Sequence, residues 1–255
     1  MNKKIIIGNW KMNPKSVLEA EKLFKQIKKS SIKGVDTVVC APFPYLAPLK
    51  KIGVTSLCAL GAQDVHFEKE GAFTGEVSTS MLNSVGAKYS IVGHSERRAQ
   101  GETDEIISKK ILSLTKSKIV PILCVGEKER DHSGFYLNTV RQQLTLGLAQ
   151  IPKANYKNVI VAYEPIWAIG SSALRPATPA ECHEMIIFIR KCIADISNGA
   201  TAHSIRVIYG GSADAEVAGE FLNQGMADGF LLGRASLNAK SFGQIIKIAN
   251  INIAK

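Results

Sequence analysis

Residues 159–170 read Val-Ile-Val-Ala-Tyr-Glu-Pro-Ile-Trp-Ala-Ile-Gly. The apolar, mostly β-branched run at 159–162 predicts a buried strand, and Glu164 follows at its end, before a segment stiffened by Pro165 and Trp167. A carboxylate in such apolar surroundings is a stronger base than it is in water. The stretch therefore predicts a catalytic base beneath a loop that closes over it, although a structural glutamate in an ion-pair network would show the same pattern.

Similar apolar runs recur along the whole chain and alternate with amphipathic segments. Strands are predicted at residues 4–9, 37–41, 56–63, 89–93, 119–125, 159–164, 206–210 and 229–233. Helices are predicted at residues 17–29, 44–52, 104–116, 136–149, 179–197, 215–223 and 240–251. Strands that alternate with helices imply parallel pairing through right-handed crossovers. Eight such units without a linker favour one α/β domain over residues 1–255, a single closed (β/α)8 barrel.

Composition and cysteine spacing restrict the class of protein. The chain has 255 residues, 45% hydrophobic and 21% charged, which is typical of a packed globular protein. The apolar run at residues 5–8 is too short for a signal peptide, and no run approaches the length that spans a membrane. Cysteines that are odd in number and scattered predict reduced thiols and a cytoplasmic location. They are Cys40, Cys58, Cys124, Cys182 and Cys192.

The formal net charge of +10 raises the question of a nucleic-acid partner. The lysines fall mostly on predicted helix exteriors, as at residues 17–29, where they lie opposite an apolar face. No basic run is interleaved with aromatic residues, so we expect neither a nucleic-acid nor a membrane partner. The charge could attract a small anionic substrate, or it could serve solubility alone.

Unusual polar residues cluster where the predicted strands end. Strand one ends in Gly-Asn-Trp-Lys at 8–11, strand four in Gly-His-Ser-Glu-Arg-Arg at 93–98, and strand six in Glu164. In a parallel barrel these ends share one face, where active sites are built. Glycine-rich turns at 209–212 and 232–236 follow strands seven and eight, and their backbone N–H groups suit a phosphate.

Together these segments resemble the triosephosphate isomerases over essentially the whole chain. The segments are Gly8-Asn9-Trp10-Lys11-Met12-Asn13, Gly71-Ala72-Phe73-Thr74-Gly75-Glu76, Val92-Gly93-His94-Ser95-Glu96-Arg97-Arg98, Cys124-Val125-Gly126-Glu127, Ala162 to Gly170 and the two glycine turns. The resemblance implies a TIM barrel that interconverts dihydroxyacetone phosphate and D-glyceraldehyde 3-phosphate through an enediol(ate), without a cofactor or metal. The sequence has no cluster with metal-ligand spacing and no dinucleotide fingerprint.

The resemblance also implies roles for the polar residues at the strand ends. Glu164 is the base that moves a proton between the two carbons, and His94 polarises the carbonyl as a neutral imidazole. The segment 95–97 can start a short helix, whose N-terminal N–H groups disfavour the imidazolium. Lys11 and Asn9 stabilise the developing oxyanion.

The phosphate and the loop after strand six have their own implied residues. Backbone N–H groups bind the phosphate; Arg234 stands where many relatives have a second glycine. Tyr209, Ser212 and Glu127 resemble residues that latch the loop, and Glu127 is a candidate partner of the Trp167 indole. Glu96 is either a carboxylate of the active site or the ion-pair partner of a neighbouring arginine. The implied phosphate-binding residues are Gly170, Ser212, Gly233 and Arg234.

The loop departs from the family after Gly170. Residues 171–177 read Ser-Ser-Ala-Leu-Arg-Pro-Ala, about two residues longer than usual, without a second glycine and with an added proline. We expect the second hinge of the loop to be altered. This would affect how the loop closes and how far the enediolate loses phosphate to form methylglyoxal. The loop ends at Thr178, which with Glu181 forms a capping-box sequence.

Residues 67–76 resemble the protruding loop with which this family docks a twin subunit. Thr74 and Gly75 would reach the region of Asn9 and Lys11 in the partner, so a homodimer is expected, with a tetramer left open. Two other functions stay open at this point. An aldolase or lyase would need a Schiff-base lysine in a late strand, and strands six to eight carry none. A catalytically weak relative with a secondary role is the other alternative, because of the altered loop.

Overall fold

The structure is a computed structural model that describes residues 3–170 and 173–251. Its eight strands close into a barrel in chain order, and every strand is parallel to both neighbours. This confirms the predicted (β/α)8 barrel. The strands are β1 Ile5–Asn9, β2 Asp36–Cys40, β3 Cys58–Ala62, β4 Tyr89–Val92, β5 Val120–Val125, β6 Ile160–Tyr163, β7 Arg206–Tyr209 and β8 Gly229–Leu232.

Helices connect the strands on the outside of the barrel. Among the described residues they are α1 Val17–Ser30, α2 Phe43–Ile52, α3 Thr79–Ser84, α4 Ser95–Ala99, α5 Asp104–Lys116, α6 Tyr136–Leu148, α7 Pro179–Ile196, α8 Gly199–Ser204, α9 Ala218–Asn223 and α10 Ala239–Ile251. Helices α3 and α8 were not predicted, because six residues are too few to establish a helical period.

The predicted start of the helix at 215–223 is wrong by three residues. Helix α9 begins at Ala218. The Oδ1 atom of Asp214 accepts the backbone N–H groups of Glu216 and Val217, at 2.9 and 3.3 Å, and this turn precedes the helix. Aspartate commonly stabilises such turns in competition with helix.

Alternating side chains divide the core into two layers. In β1, Ile5 and Ile7 point into the barrel interior, whereas Ile6 packs outward against the helices. The interior layer is formed by β-branched and small residues, which is typical of barrels of this type. Its other buried members are Val38, Cys40, Ile91, Ile122, Cys124, Ile160, Ala162, Ile208 and Leu231.

The cysteines fill core positions. All five are buried and none forms a disulfide. Buried free thiols act here as small apolar packing groups. Within the part of the chain that the structure describes, no helix combines the length and apolar character needed to cross a membrane.

Candidate active site

A cavity of ≈ 280 Å³ opens where the strands end. It is formed by the loops that follow β1, β4, β6, β7 and β8. Eight of the residues singled out from the sequence line it together, although they come from distant parts of the chain. They are Asn9, Lys11, His94, Glu164, Gly170, Ser212, Gly233 and Arg234.

Glu164 is the first residue after β6 and is only 2% exposed. Its Oε2 atom accepts the backbone N–H of Ser95 at 3.0 Å, and its Oε1 atom lies 3.2 Å from Nε2 of His94. Two glycines leave room for this residue. A Cβ atom on Gly210 would lie 2.9 Å from Cγ of Glu164, and a Cβ atom on Gly126 would lie 1.8 Å from the carbonyl oxygen of Glu164. The carboxylate is therefore held in a fixed, nearly dry position.

The thiol of Cys124 lies on the interior side of the same carboxylate. Complete burial raises the pKa of this thiol well above its ordinary value, and the charge of Glu164 raises it further. Cys124 is thus a neutral packing group beside Glu164.

His94 is the N-cap residue of α4 and is 7% exposed. Its Nδ1 atom accepts the backbone N–H of Glu96 at 3.2 Å. Because an accepting nitrogen carries no proton, a neutral ring has its proton on Nε2. That nitrogen faces the Glu164 carboxylate, so the cap directs Nε2 of His94 toward the buried acid.

Lys11 adopts a left-handed backbone conformation, with φ 52°, that is uncommon for a residue other than glycine. Two hydrogen bonds hold it there: its N–H donates to Oδ1 of Asn9 at 3.0 Å, and its carbonyl oxygen accepts from Nε2 of Gln63 at 2.9 Å. Such a conformation persists only where its surroundings determine it. The backbone thus brings the ammonium group to the cavity.

The structure distinguishes the two roles considered for Glu96. Its Oε1 atom pairs with Nζ of Lys11 at 2.8 Å. The neighbouring arginines have other partners, since Arg97 pairs with Asp64 and Arg98 with Asp104. Glu96 is therefore an ion-pair partner of the lysine in the cavity.

The four residues expected to bind phosphate present unused backbone donors. The N–H groups of Gly170, Ser212, Gly233 and Arg234 donate no hydrogen bond to any other described residue. All four residues lie on the wall of one cavity. Converging backbone N–H groups without acceptors are suited to an oxyanion.

The loop after β6 is fixed at its beginning by a buried carboxylate. Oε1 of Glu127 accepts from the Trp167 indole and from the Tyr163 hydroxyl, both at 2.8 Å. The sequence anticipated the first of these contacts. Tyr209 is buried and stacks on Phe221, with ring centroids 4.3 Å apart.

The proposed second hinge is described only in part, because Ser171 and Ser172 lie outside the described residues. Within 173–177, the N–H of Leu174 donates to the carbonyl oxygen of Trp167 at 2.9 Å. Ser212 and Tyr209 make no hydrogen bond to this described part of the loop. Their latch role therefore stays a prediction.

Arg175 is a supporting residue that the sequence analysis missed. Its guanidinium lies 4.6 Å from the centre of a Trp167 ring and pairs with both carboxylate oxygens of Glu181, at 2.5 and 3.0 Å. Glu181 also completes the predicted capping box with Thr178 at the start of α7. Arg175 thus ties the beginning of the loop to α7. The added length after Gly170 was the only signal for it.

The Arg175–Glu181 pair predicts a pH-dependent stability. The Arg175 hydrogen bond is the main cause that lowers the pKa of Glu181 from 4.5 to about 2. A lowered acid pKa contributes stability above about pH 4.5 that is lost as the pH falls toward 2. Arg175→Ala should therefore lower the free energy of unfolding at neutral pH, and lower it less near pH 3, as measured by urea unfolding. Arg141→Ala, which breaks the exposed pair with Asp195, should show no such pH dependence. Equal losses at both pH values for Arg175→Ala would contradict this account.

The remaining singled-out residues lie away from the cavity. Thr74 and Gly75 are on the exposed loop between β3 and α3. Among the described residues, no group of three or more His, Cys, Asp or Glu side chains is arranged to hold a metal ion.

Comparisons with known proteins find one family over nearly the whole chain. A family model described as triosephosphate isomerase matches residues 4–249. Proteins named triosephosphate isomerase are similar to the chain over nearly their full length. The one from Carboxydothermus hydrogenoformans is 44% identical, covering 97% of this chain and 99% of its own. The one from Dehalococcoides mccartyi is 42% identical, covering 98% of each. The one from Moorella thermoacetica is 41% identical, covering 96% and 98%.

Proposed function

Since the chain belongs to the triosephosphate isomerase family, we propose that Glu164, His94, Lys11 and Asn9 carry out its reaction, the interconversion of dihydroxyacetone phosphate and D-glyceraldehyde 3-phosphate. The observation that supports this most strongly is the 3.2 Å contact between Oε1 of Glu164 and Nε2 of His94. This contact brings a carboxylate and an imidazole together in a cavity that is lined by backbone N–H groups without an acceptor among the described residues, which supports a base acting beside a hydrogen-bond donor. The comparisons lend no support to the alternative of a secondary-role relative.

The first step is proton transfer from carbon to Glu164. The carboxylate removes a proton from the carbon next to the carbonyl, and the C–H electron pair becomes the carbon–carbon double bond of the enediolate. The carbonyl electrons move to oxygen, which becomes negative. Glu164 then returns a proton to the neighbouring carbon, and proton exchange between the two oxygens completes the isomerisation. Burial assists because the carboxylate is not stabilised by bulk water.

The charge that develops on oxygen is met by donors fixed before the reaction. His94 donates from Nε2, and a neutral donor matches the weakly acidic enediol better than an imidazolium would. Lys11 adds a positive charge on the same wall of the cavity. The Asn9 side chain uses Oδ1 to hold Lys11, which leaves its amide nitrogen as a further donor.

The substrate phosphate is assigned to the backbone N–H groups of Gly170, Ser212, Gly233 and Arg234. Phosphate held at this end keeps the reacting carbons beside Glu164, and orientation of this kind is a large part of catalysis. The loop after β6 excludes water, which limits the elimination of phosphate from the enediolate.

The coupled assay of isomerisation tests this function. Purified wild-type protein should convert D-glyceraldehyde 3-phosphate to dihydroxyacetone phosphate, detected by enzymatic reduction of the product, and should catalyse the reverse conversion as well. Absence of turnover in both directions by folded protein would contradict the proposal.

We further assign the exposed loop that contains Thr74 and Gly75 to a twofold dimer interface. Met12, next to Lys11, is 95% exposed, and Phe73 on the loop is also exposed, so both present apolar surface that a second subunit would cover. The dimer should have twice the chain mass of 27.6 kDa by analytical ultracentrifugation. Thr74→Arg should give monomers whose activity is at least about tenfold lower, because a loss of about 1.4 kcal/mol in transition-state stabilisation lowers a rate tenfold. Thr145→Arg on the exposed face of α6 is the control, and it should change neither the oligomeric state nor the activity. A fully active wild-type monomer would contradict this assignment.

A further inference from the structure

Apart from one arginine, the charged side chains at the cavity carry no excess of positive charge that would attract a dianionic substrate. Apart from the histidine, the cavity wall carries three charged side chains, those of Lys11, Glu164 and Arg234. Lys11 is already paired with Glu96 at 2.8 Å, and Glu164 is itself an anion. Two carboxylates therefore offset the lysine before any substrate binds.

Arg234 carries the positive charge that is not offset. Its guanidinium forms no ion pair and no hydrogen bond with any other described residue. The residue is exposed, and it begins a short 3₁₀ turn, Arg234–Leu237, directly after Gly233. Every other arginine in the described part of the chain has at least one ion-pair partner; these are Arg97, Arg98, Arg130, Arg141, Arg175, Arg190 and Arg206.

The side chain of Arg234 extends from the turn that carries two of the phosphate donors, the N–H groups of Gly233 and of Arg234 itself. Its own backbone N–H is one of the four unused donors, so the side chain starts at the point assigned to the phosphate. Cε of Lys11 lies 3.4 Å from where a Cβ atom of Gly233 would stand, so the lysine stem packs against the same turn. A guanidinium offers five N–H donors in a planar fork that matches phosphate oxygens in pairs.

We infer that the guanidinium of Arg234 binds the phosphate of the substrate, in addition to the contact from its backbone N–H. The inference rests on the proposed function. It assigns to this side chain a binding contact that a glycine at the same position could not make. It also implies that free inorganic phosphate binds the same group, since the contact involves the oxyanion and not the triose.

Three variants separate the side chain from the backbone. Arg234→Gly keeps the N–H and removes the guanidinium, Arg234→Gln removes the charge with less loss of length, and Arg234→Lys keeps the charge without the fork. Lys247→Ala, which removes one exposed positive charge from α10, is the charge-matched control. For each protein we would measure kcat and KM for D-glyceraldehyde 3-phosphate, and the dissociation constant of inorganic phosphate by calorimetry.

The expected result is a parallel loss in two measurements. The Gly and Gln variants should raise KM and the phosphate dissociation constant by about tenfold each, which corresponds to 1.4 kcal/mol. Because the contact is made equally in the ground and transition states, kcat should change far less. Arg234→Lys should recover part of the loss, and Lys247→Ala should match wild type in both measurements.

Two results would overturn the inference. One is a phosphate dissociation constant that is the same in wild type and in both the Gly and Gln variants. The other is a rise in KM with unchanged phosphate binding, which would place the guanidinium at the triose. The phosphate titration needs no turnover, so it tests Arg234 even if the isomerase assay fails; absence of turnover in wild type contradicts the proposed function alone.

Discussion

Replacing Glu164 by glutamine is expected to lower kcat by between about 10²- and 10⁴-fold, the range typical of a lost general base. Glutamine has nearly the same shape, and its side-chain oxygen can still accept the N–H of Ser95. The fold and the cavity should therefore survive, and only proton transfer should fail. Rates from the coupled assay, together with circular dichroism spectra of the same samples, distinguish a loss of proton transfer from a loss of fold.

A matched control makes this result specific to the site. Glu105 is an exposed carboxylate on α5 that does not line the cavity, and Glu105→Gln removes the same charge. It should leave kcat within about twofold of wild type, as surface substitutions usually do. Near-normal turnover by Glu164→Gln would remove this residue from the role of base.

The second large effect is expected for His94→Asn, with a loss in kcat of about 10²- to 10³-fold, as for one oxyanion donor. Asparagine is itself a good N-cap residue, and its Oδ1 atom can accept the N–H of Glu96. Helix α4 should therefore stay capped, while the shorter side chain withdraws the donor from the cavity. The loss should appear in kcat more than in KM, because the contact strengthens as negative charge develops on oxygen.

His183 provides the control for this substitution. It is a partly exposed histidine on α7 that lies outside the cavity. His183→Asn should preserve both kcat and KM. A His94→Asn enzyme with kcat within about threefold of wild type would contradict the role of His94 as the electrophile, given the range for one lost donor.

The positions of the site residues could be predicted because topology alone brings strand ends together. Apolar runs such as 159–162 establish the strands, and in a closed parallel barrel the next residue of each strand lies on one rim. His94 and Glu164, seventy positions apart, meet there without any local signal that joins them. The strands are short apolar runs, so their predicted ends lie within about two residues of the observed ends.

Contacts between side chains of different loops could not be predicted from the sequence. Lys11 follows β1 and Glu96 follows β4, and the two side chains form an ion pair. From the sequence, a neighbouring arginine was an equally reasonable partner for Glu96. The contact of Arg175 with Trp167 depends on how an unusually long segment folds back, which no periodicity encodes. The short helices α3 and α8 were missed for the same reason, since tertiary packing decides segments of six residues.

The most direct test of the account is solvent deuterium exchange during turnover. D-Glyceraldehyde 3-phosphate is incubated in D₂O with wild-type protein or with Glu164→Gln, and the products are followed by ¹H NMR. If Glu164 carries the proton, wild type should form dihydroxyacetone phosphate with deuterium on the carbon that receives the proton, to the extent that the carboxylate exchanges with solvent while the enediolate exists. The Glu164→Gln protein should form neither deuterated nor unlabelled product at a comparable rate. Product from Glu164→Gln at nearly the wild-type rate would contradict the account.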